Sequence, residues 1–159
     1  MTVKRNKLFD KCLANIDPET RKEVRENMAQ EDKELLLKDL CARLPYLENW
    51  VQFEGEDYII TGYGHGRVFL LPSLVSSCTG PCPLIEEVKP YLRPMSSMTE
   101  EEDDKYMTTF DIEDLGGLPS PCTATFETFD WLNEHHFDFR GLIKKGLALE
   151  APSDMYKTE

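Results

Sequence analysis

The sequence predicts an α+β fold in which helices cover a small, curled antiparallel sheet. Two observations carry this prediction. Between Pro18 and Arg43 there is no glycine or proline, and apolar residues recur at helical spacing. From Trp50 to Leu71, short runs rich in β-branched and aromatic residues alternate with glycine-containing turns, as in a sheet. We therefore divide the chain into an N-terminal helical arm, residues 1–45, and an α+β domain, residues 46–159.

The arm is predicted to hold a short amphipathic helix over residues 4–15, followed by a longer helical stretch. Asp17 can cap the second stretch and Pro18 can occupy its first position, where a missing N–H is tolerated. This stretch is either one long helix or two helices with a break near Gln30. Pro45 ends it, because the residue before a proline avoids helical angles. The apolar positions of the first helix are Leu8, Phe9, Cys12, Leu13 and Ile16.

The segment from Trp50 to Leu71 is predicted to be a three-stranded antiparallel meander. Its strands are "WVQF", "DYIITGY" and "RVFLL", separated by "EGE" and "GHG". "IEEV" is a candidate fourth strand, and "KPYLRP" is expected to be extended or a tight turn. A curled sheet of three to five such strands would resemble an SH3-like arrangement.

The remaining chain is predicted to hold helices and loops. Ser97 with Glu100, or Thr99 with Glu102, fits a capping box for a helix ending near Thr108. Residues 109–124 are predicted to be a loop. Thr125 or Thr128 opens a helix through about His136, and "RGLIKK" is predicted to be a further short helix.

The distribution of charge limits the function classes. The net charge is −12, and residues 1–49 hold ten basic and ten acidic residues, so residues 50–159 carry the whole excess. An acidic surface repels phosphate backbones, so we expect no direct nucleic-acid binding and favour a basic protein as partner. No apolar run approaches the roughly 20 residues of a membrane span. The N-terminus lacks the apolar core of a signal peptide, so we expect a cytoplasmic protein.

Two patterns suggest ligand sites without the context that such sites require. "GYGHG" at 62–66 resembles a phosphate loop, but a strand follows it instead of a helix. We expect a hairpin turn there, with His65 solvated. Cys78 and Cys82, together with Cys122 and either His135 or His136, could form a zinc site. Their Cys-x3-Cys spacing has no second matched pair, so we expect thiols and no bound metal or cofactor.

The stretch "DWLNEHHFDFRGL" concentrates the candidate binding residues. Consecutive histidines on a helix point about 100° apart, so they cannot readily share a ligand. One histidine is expected to pack or cap the helix end, whereas the other could form an acid–base or anion site with nearby charges. No nucleophile motif accompanies them, so we assign no catalytic residue. The candidate binding residues are Trp131, His135, His136, Asp138 and Arg140.

We favour the interpretation that this stretch is an architectural hinge between two helices. Phe129 and Leu132 share a predicted inward face, whereas Phe137 and Phe139 alternate as in an extended connection. Trp131 is offset from that face and is expected to reach a neighbouring element. Arg140 is expected to tie down a carboxylate or the free carbonyls at the helix end.

Three segments carry a resemblance to known proteins: "KELLLKDLCARLPY", "VKPYLRPMSSMTEEE" and "FDWLNEHHFDFRGLIKKGLALEAPSDMYK". They resemble a family of short proteins from anaerobic gut bacteria, their prophages and their phages, over residues 33–46, 86–102 and 129–157. The resemblance implies a small accessory protein of a mobile element and assigns no catalytic residue. "LFDKCLANIDPETRKEVRENM" resembles the helical leader of some helix-turn-helix antitoxins, although no helix-turn-helix follows.

Three functional hypotheses follow from these features. The first is a non-enzymatic binding or adaptor protein of phage or mobile-element origin, with a host or phage protein as partner and with self-association possible through the N-terminal arm. The second is a small-ligand binder, for example one that sequesters a nucleotide signal. The third is a small hydrolase that uses His135 or His136. The cations that a ligand site could use are Arg67, Arg93, Arg140, Lys144 and Lys145.

Overall fold

The computed structural model describes residues 29–46, 48–72, 80–112 and 122–156, and its fold is α+β as predicted. The predicted helix over residues 4–15 and the predicted cap at Asp17 lie outside these residues. No helix in the described ranges is long and apolar enough to span a membrane. The helices are α1 (Gln30–Arg43), α2 (Glu100–Thr108) and α3 (Phe126–Glu134). The strands are β1 (Trp50–Phe53), β2 (Glu56–Gly64), β3 (Arg67–Pro72), β4 (Lys89–Leu92), β5 (Phe110–Ile112), β6 (Cys122–Ala124) and β7 (Leu149–Glu150).

The main sheet has five strands in the order β3-β2-β1-β4-β7. The predicted meander is confirmed, because β1 pairs with β2 and β2 with β3 in antiparallel register. The expectation of a wholly antiparallel sheet is wrong, since β7 pairs with β4 in parallel. A parallel neighbour requires a long crossover, here the chain between Leu92 and Leu149. The sheet is open, and the SH3-like arrangement is not confirmed.

Two-residue turns close both hairpins of the meander. Glu54 and Gly55 have φ of 56° and 84°, and His65 and Gly66 have φ of 53° and 75°. Positive φ at both central residues is the type I′ pattern that matches the twist of paired strands. "GYGHG" is therefore a hairpin turn, as predicted, and His65 is exposed.

The helix starts at Thr99 and Thr125 are confirmed. The Thr99 hydroxyl accepts from the Glu102 amide while the Glu102 carboxylate accepts from the Thr99 amide, so this pair forms the capping box rather than Ser97 and Glu100. Thr125 caps α3 through the Thr128 amide. Both helices begin where a side-chain oxygen satisfies a free backbone N–H.

Three predicted elements differ from the structure. "IEEV" is not a strand: residues Ile85–Glu87 form a 3₁₀ turn, closed by the Leu84 amide donating to the Glu87 carboxylate at 2.7 Å. Residues 109–124 are not only loop, because β5 and β6 pair antiparallel within them. "RGLIKK" forms turns instead of a helix. The Asp138 carboxylate accepts hydrogen bonds from the amides of Leu142 and Ile143, each at 2.8 Å. These bonds compete with the backbone hydrogen bonds that a helix would need.

Helix α1 packs on the sheet through Leu36 and Leu40, which join the strand residues in one core cluster. The helix begins at Gln30, and Ala29 before it is extended with φ of −58° and ψ of 145°, so a single helix unbroken through Gln30 is wrong, whereas the helix predicted before the break lies outside the described residues. Leu36 and Leu40 of the predicted arm therefore belong to the same core cluster as the strands. The division of the chain at residue 45 remains a prediction. The strand and turn members of this cluster are Val51, Phe53, Ile60, Val68, Leu70, Ile85 and Val88.

The outer edge of β3 is covered by the chain that follows it. The amides of Val68 and Leu70 donate to the carbonyls of Pro83 and Pro81 at 2.9 and 3.1 Å. A β-carbon added to Gly80 would overlap the Leu70 carbonyl oxygen. Only glycine permits this approach, and the covered edge cannot template pairing with another chain.

Candidate functional site

The two histidines end helix α3. His135 is the C-cap residue of α3, and His136 after it lies in the left-handed region with φ of 58°. The His136 amide donates to the Asn133 carbonyl at 3.2 Å, and the Phe137 amide donates to the Leu132 carbonyl at 3.0 Å. This is the Schellman pattern, in which a residue of positive φ closes the helix. The pair of histidines therefore lies where the backbone reverses.

The side chains of the histidines are packed against aromatic rings. The His135 ring stacks on Trp131 with centroids 4.1 Å apart, and its Nδ1 lies 2.9 Å from the Trp131 carbonyl. The His136 ring stacks on Tyr156 with centroids 4.0 Å apart and is 5% exposed. One histidine thus packs at the helix end, as expected, and the other is buried on a different side.

Phe137 leaves the helix as a buried anchor next to β4. It is fully buried, and it forms an isolated parallel bridge with Arg93. The Arg93 amide donates to the His136 carbonyl at 2.8 Å, and the Asp138 amide donates to the Arg93 carbonyl at 2.7 Å. The Arg93 guanidinium carbon also lies 4.3 Å from the centre of the Phe137 ring. The stretch is therefore fastened to the edge of the main sheet.

A buried ionic cluster ties the same stretch to α1. Asp39 is fully buried and accepts two hydrogen bonds from Arg43, at 2.8 and 2.9 Å. Arg140 donates from Nη1 to Asp39 at 2.7 Å and to the Asn133 amide oxygen at 3.1 Å. Burial lowers the pKa of Arg140, and the neighbouring Asp39 opposes that shift. Two arginines sharing one carboxylate fix the position of the junction relative to the helix.

Arg43 extends the cluster to the backbone of the junction. Its guanidinium donates to the Phe137 carbonyl at 2.8 Å and to the Asn133 carbonyl at 3.4 Å. These carbonyls lie at and beyond the end of α3, where helical partners are missing. Arg140 therefore binds a carboxylate, one of the two alternatives expected for it, and Arg43 binds the helix-end carbonyls.

The other predicted site residues have architectural partners. Both carboxylate oxygens of Asp138 accept hydrogen bonds from backbone amides of the following turn. Trp131 reaches Tyr106 of α2, with ring centroids 5.7 Å apart, in agreement with its predicted offset. The expectation of a hinge between two helices is wrong in its second half, because turns follow Arg140. The inward position predicted for Phe129 is also wrong, since that side chain is 43% exposed.

The five cations proposed for a ligand site have separate surroundings. Arg67 donates to the Cys82 carbonyl at 2.7 Å, Arg93 pairs with Glu102, and Lys145 pairs with Asp32. Arg140 faces Asp39, and Lys144 is exposed. A cleft of about 320 Å³ adjoins Arg93 between residues 94–99 and 150–153. Because Glu102 already holds the Arg93 guanidinium, the described lining of this cleft offers an anion no free cation.

Only some of the residues considered as zinc ligands lie in the described part of the chain. Cys78 lies outside the described residues. Across the ranges that the structure describes, no three His, Cys, Asp or Glu side chains are grouped as a metal site requires. Cys82 lies beside β3, and burial raises the pKa of its thiol.

The exposed side of α3 presents a different kind of surface. Phe126 is 90% exposed and Phe129 is 43% exposed, and residues three apart on a helix lie side by side. Glu127, Asp130 and Glu134 are exposed and follow one another at spacings of three and four, so they form an acidic row beside the rings. We call these five residues the α3 face.

The α3 face continues onto neighbouring elements. The Phe129 ring lies 5.7 Å from Phe139, which in turn has the Arg140 guanidinium carbon 4.1 Å from its centre. At the acidic row, burial together with the neighbouring charges of Asp130 and Glu134 raises the pKa of the Tyr46 hydroxyl. The aromatic part of the face therefore rests on the ionic cluster, and its acidic part meets the end of α1.

Sequence reasoning missed Asp39, Arg43 and the exposed Phe126. A signal for the first two was present, because Asp39 and Arg43 are four residues apart and in phase with Leu36 and Leu40 on the buried face of α1. Charged residues within an apolar stripe indicate a buried ion pair. Phe126 has no such signal, since an isolated aromatic residue at a helix start fits a core as well as a surface. No protein-family model, curated protein or solved structure matches the chain.

Proposed function

We propose that the chain is a non-enzymatic binding or adaptor protein that acts through protein–protein contacts made by the α3 face. The observation that carries the proposal is the 90% exposure of Phe126 beside the partly exposed Phe129. Aromatic rings left in water on one helix face gain free energy when a partner covers them. Aromatic anchors surrounded by polar residues are also the usual centre of a protein interface.

The chemistry of the face specifies the partner. Glu127, Asp130 and Glu134 place three carboxylates next to the rings, and residues 50–159 carry the whole net charge of −12. A complementary partner segment has lysine or arginine on one side and large apolar side chains on the other. The same charge opposes contact with nucleic-acid phosphates. We therefore propose a basic, amphipathic protein segment as the ligand of this face.

The sequence resemblance supplies the biological part of the proposal. The chain would be an accessory protein of a phage or mobile element, active in the cytoplasm of the host cell, with a host or phage protein as partner. The ionic cluster holds Arg140, and the backbone amides of Leu142 and Ile143 hold the Asp138 carboxylate; both sets of bonds support the non-enzymatic interpretation. The separate pairing of Arg67, Arg93 and Lys145 gives the ligand-binding alternative no common pocket.

A peptide titration tests the proposal. The probe is a fluorescent 16-residue peptide of leucine and lysine with leucine at helical spacing, and its control replaces every lysine with glutamate. We expect the lysine peptide to bind the wild-type chain and the glutamate peptide not to bind. Phe126→Ala/Phe129→Ala should weaken binding at least tenfold, because both anchors are removed.

The matched control is Phe69→Ala. Phe69 is 41% exposed, like Phe129, but it lies on β3 in the main sheet. This variant should bind the lysine peptide as the wild type does, and the melting temperatures of all variants show whether they are folded. Equal affinity for wild type and the α3 double variant would contradict the proposal.

A further inference from the structure

We propose that the cleft beside Arg93 binds a small organic cation, an amine or guanidine group on a short aliphatic stem, with Glu150 as its counter-charge. The lining of this cleft shares no residue with the α3 face, so the inference goes beyond the proposed function. Three features carry it: the position of the cleft at the end of the sheet, the engagement of the hydrogen-bond donors in its walls, and the open carboxylate of Glu150.

The cleft lies where two parallel strands end. Strands β4 and β7 pair in parallel, and the chain that leaves each of them forms one wall, residues 93–99 and residues 150–153. Crevices outside the carboxyl ends of parallel strands are common ligand sites in open sheets. The volume of about 320 Å³ is at the lower end of the range for small-molecule pockets, roughly 300–1,000 Å³.

The walls have few hydrogen-bond donors to give to a ligand. Pro94 and Pro152 have no N–H. The Ser97 hydroxyl donates to the Pro94 carbonyl at 2.8 Å, and the Arg93 guanidinium is held by Glu102. Further amides of the walls donate within the protein at 2.8 to 2.9 Å, namely those of Ser97, Thr99 and Ala151. A ligand of this cleft therefore has to bring its own donors.

Glu150 supplies the acceptor for such donors. It lines the cleft and is exposed, and its carboxylate has no hydrogen bond or ion pair with the rest of the described chain. A carboxylate can accept several N–H groups from one ammonium or guanidinium group. Ala151 and the rings of Pro94 and Pro152 add apolar surface along which an aliphatic stem can lie.

The charges around the cleft favour a cation over an anion. Two positive groups are present, the Arg93 side chain and the N-terminus of α2. Glu102 neutralises the first through bonds of 2.7 and 2.8 Å. The acidic first turn of α2, which includes Glu100 and Glu101, offsets the second. Glu150 then leaves an excess of negative charge, which attracts a cation and gives a neutral ligand no advantage.

A titration followed by nuclear magnetic resonance tests this site. The probe is n-butylammonium, added to the isotope-labelled full-length chain at constant ionic strength, and its neutral control of similar shape is n-pentanol. We expect saturable shifts of the amides in residues 93–99 and 150–153 with n-butylammonium and not with n-pentanol. Equal saturable shifts with both probes would overturn the inference, because the cleft would then bind apolar stems without regard to charge.

Two variants of equal charge locate the counter-charge. Glu150→Gln should weaken n-butylammonium binding about fivefold, whereas Glu31→Gln, at an exposed position of α1, should change it less than about twofold. Equal binding by wild type and Glu150→Gln would overturn the inference. Phe126→Ala/Phe129→Ala should bind this probe as the wild type does, so a failure at the cleft is distinguishable from a failure at the α3 face.

A third probe identifies the source of the cation. The tripeptide Gly-Lys-Gly with blocked ends carries the same amine on a backbone. Tighter binding of the tripeptide than of n-butylammonium would support the site and assign it to a lysine side chain of a partner. Binding of n-butylammonium alone would support the site and assign it to a free amine. The absence of saturable shifts with both probes would overturn the inference.

Discussion

The guanidinium of Arg140 lies 2.7 Å from the carboxylate of Asp39, a residue 101 positions earlier in the chain. The same carboxylate is held by Arg43, so α1 and the end of α3 are joined by three charged side chains in the interior. This contact fastens a stretch rich in histidine, arginine and aspartate to α1. Its polar side chains are bonded to the protein itself.

Asp39→Asn should destabilise the protein by about 3–5 kcal/mol, because two arginines lose the charge that compensates for their burial. The asparagine keeps the size of the side chain, so the loss reports the charge and its hydrogen bonds. Urea unfolding measures the change. Lys38→Ala, at the exposed neighbouring position, serves as control and should change stability by less than about 0.5 kcal/mol. A loss below 1 kcal/mol for Asp39→Asn would show that the cluster is not a structural tie.

Phe137→Ala should cost about 3–5 kcal/mol, since the ring is fully buried between Arg93 and Trp131. Phe139→Ala should cost less, because that ring is only partly buried. His135→Ala should cost the least of the three, as it removes one stacked ring at the helix end. Thermal unfolding of the three single variants gives the order directly. A Phe137→Ala protein as stable as the wild type would disprove the anchor role.

The pairing of Glu102 with Arg93 predicts a stability change in acid. The two hydrogen bonds from Arg93, at 2.7 and 2.8 Å, lower the pKa of Glu102 from 4.5 to about 2. A carboxyl with a depressed folded-state pKa stabilises the protein above its unfolded-state pKa, and this contribution is lost as the pH falls from about 4.5 to about 2.

Comparison with Glu102→Gln isolates this contribution. The wild type should be more stable than the variant by about 2 kcal/mol at pH 7, a value reduced for solvent screening near the surface. The difference should shrink towards zero by about pH 2, when urea midpoints are measured across the acid range. A difference that stays constant with pH would mean that the ion pair does not form.

Gly80→Ala should destabilise the protein strongly, although it adds only one methyl group. The added β-carbon would overlap the Leu70 carbonyl oxygen, so the segment covering β3 would have to move. Hydrogen exchange of the Leu70 amide, which donates to the Pro81 carbonyl, measures that movement. Gly55→Ala is a useful contrast, because its β-carbon would meet no atom within 4 Å and only its positive φ is unfavourable. Unchanged protection at Leu70 in Gly80→Ala would contradict this account of the edge.

Local patterns were enough to predict much of the fold. The meander, the Thr99–Glu102 capping box and the start of a helix at Gln30 all depend on residues close in sequence. The parallel strand β7 was not predictable, because two residues carry no periodic signal and their pairing depends on β4, far along the chain. The turn at "IEEV" was not predicted because its composition is typical of a strand. The turn is held by the Glu87 carboxylate, which accepts a hydrogen bond from the Leu84 amide.

The candidate site was less accessible to sequence reasoning. The five candidate binding residues lie close together in sequence, but Asp39, the partner of Arg140 on α1, lies 101 positions away. A buried charge and a catalytic charge look alike in sequence, since only the fold shows which groups face each other. His136 likewise looks like a ligand, whereas its position follows from the helix end, where positive φ is required.

The most direct test of the central claim is one peptide titration performed on two variants of matched stability. His135→Ala removes a residue of the predicted site, and Phe126→Ala removes the most exposed ring of the α3 face. We expect His135→Ala to bind the lysine peptide like the wild type and Phe126→Ala to bind it several-fold more weakly, with both proteins folded. Loss of binding in His135→Ala together with full binding in Phe126→Ala would contradict the account and place the functional site at the junction.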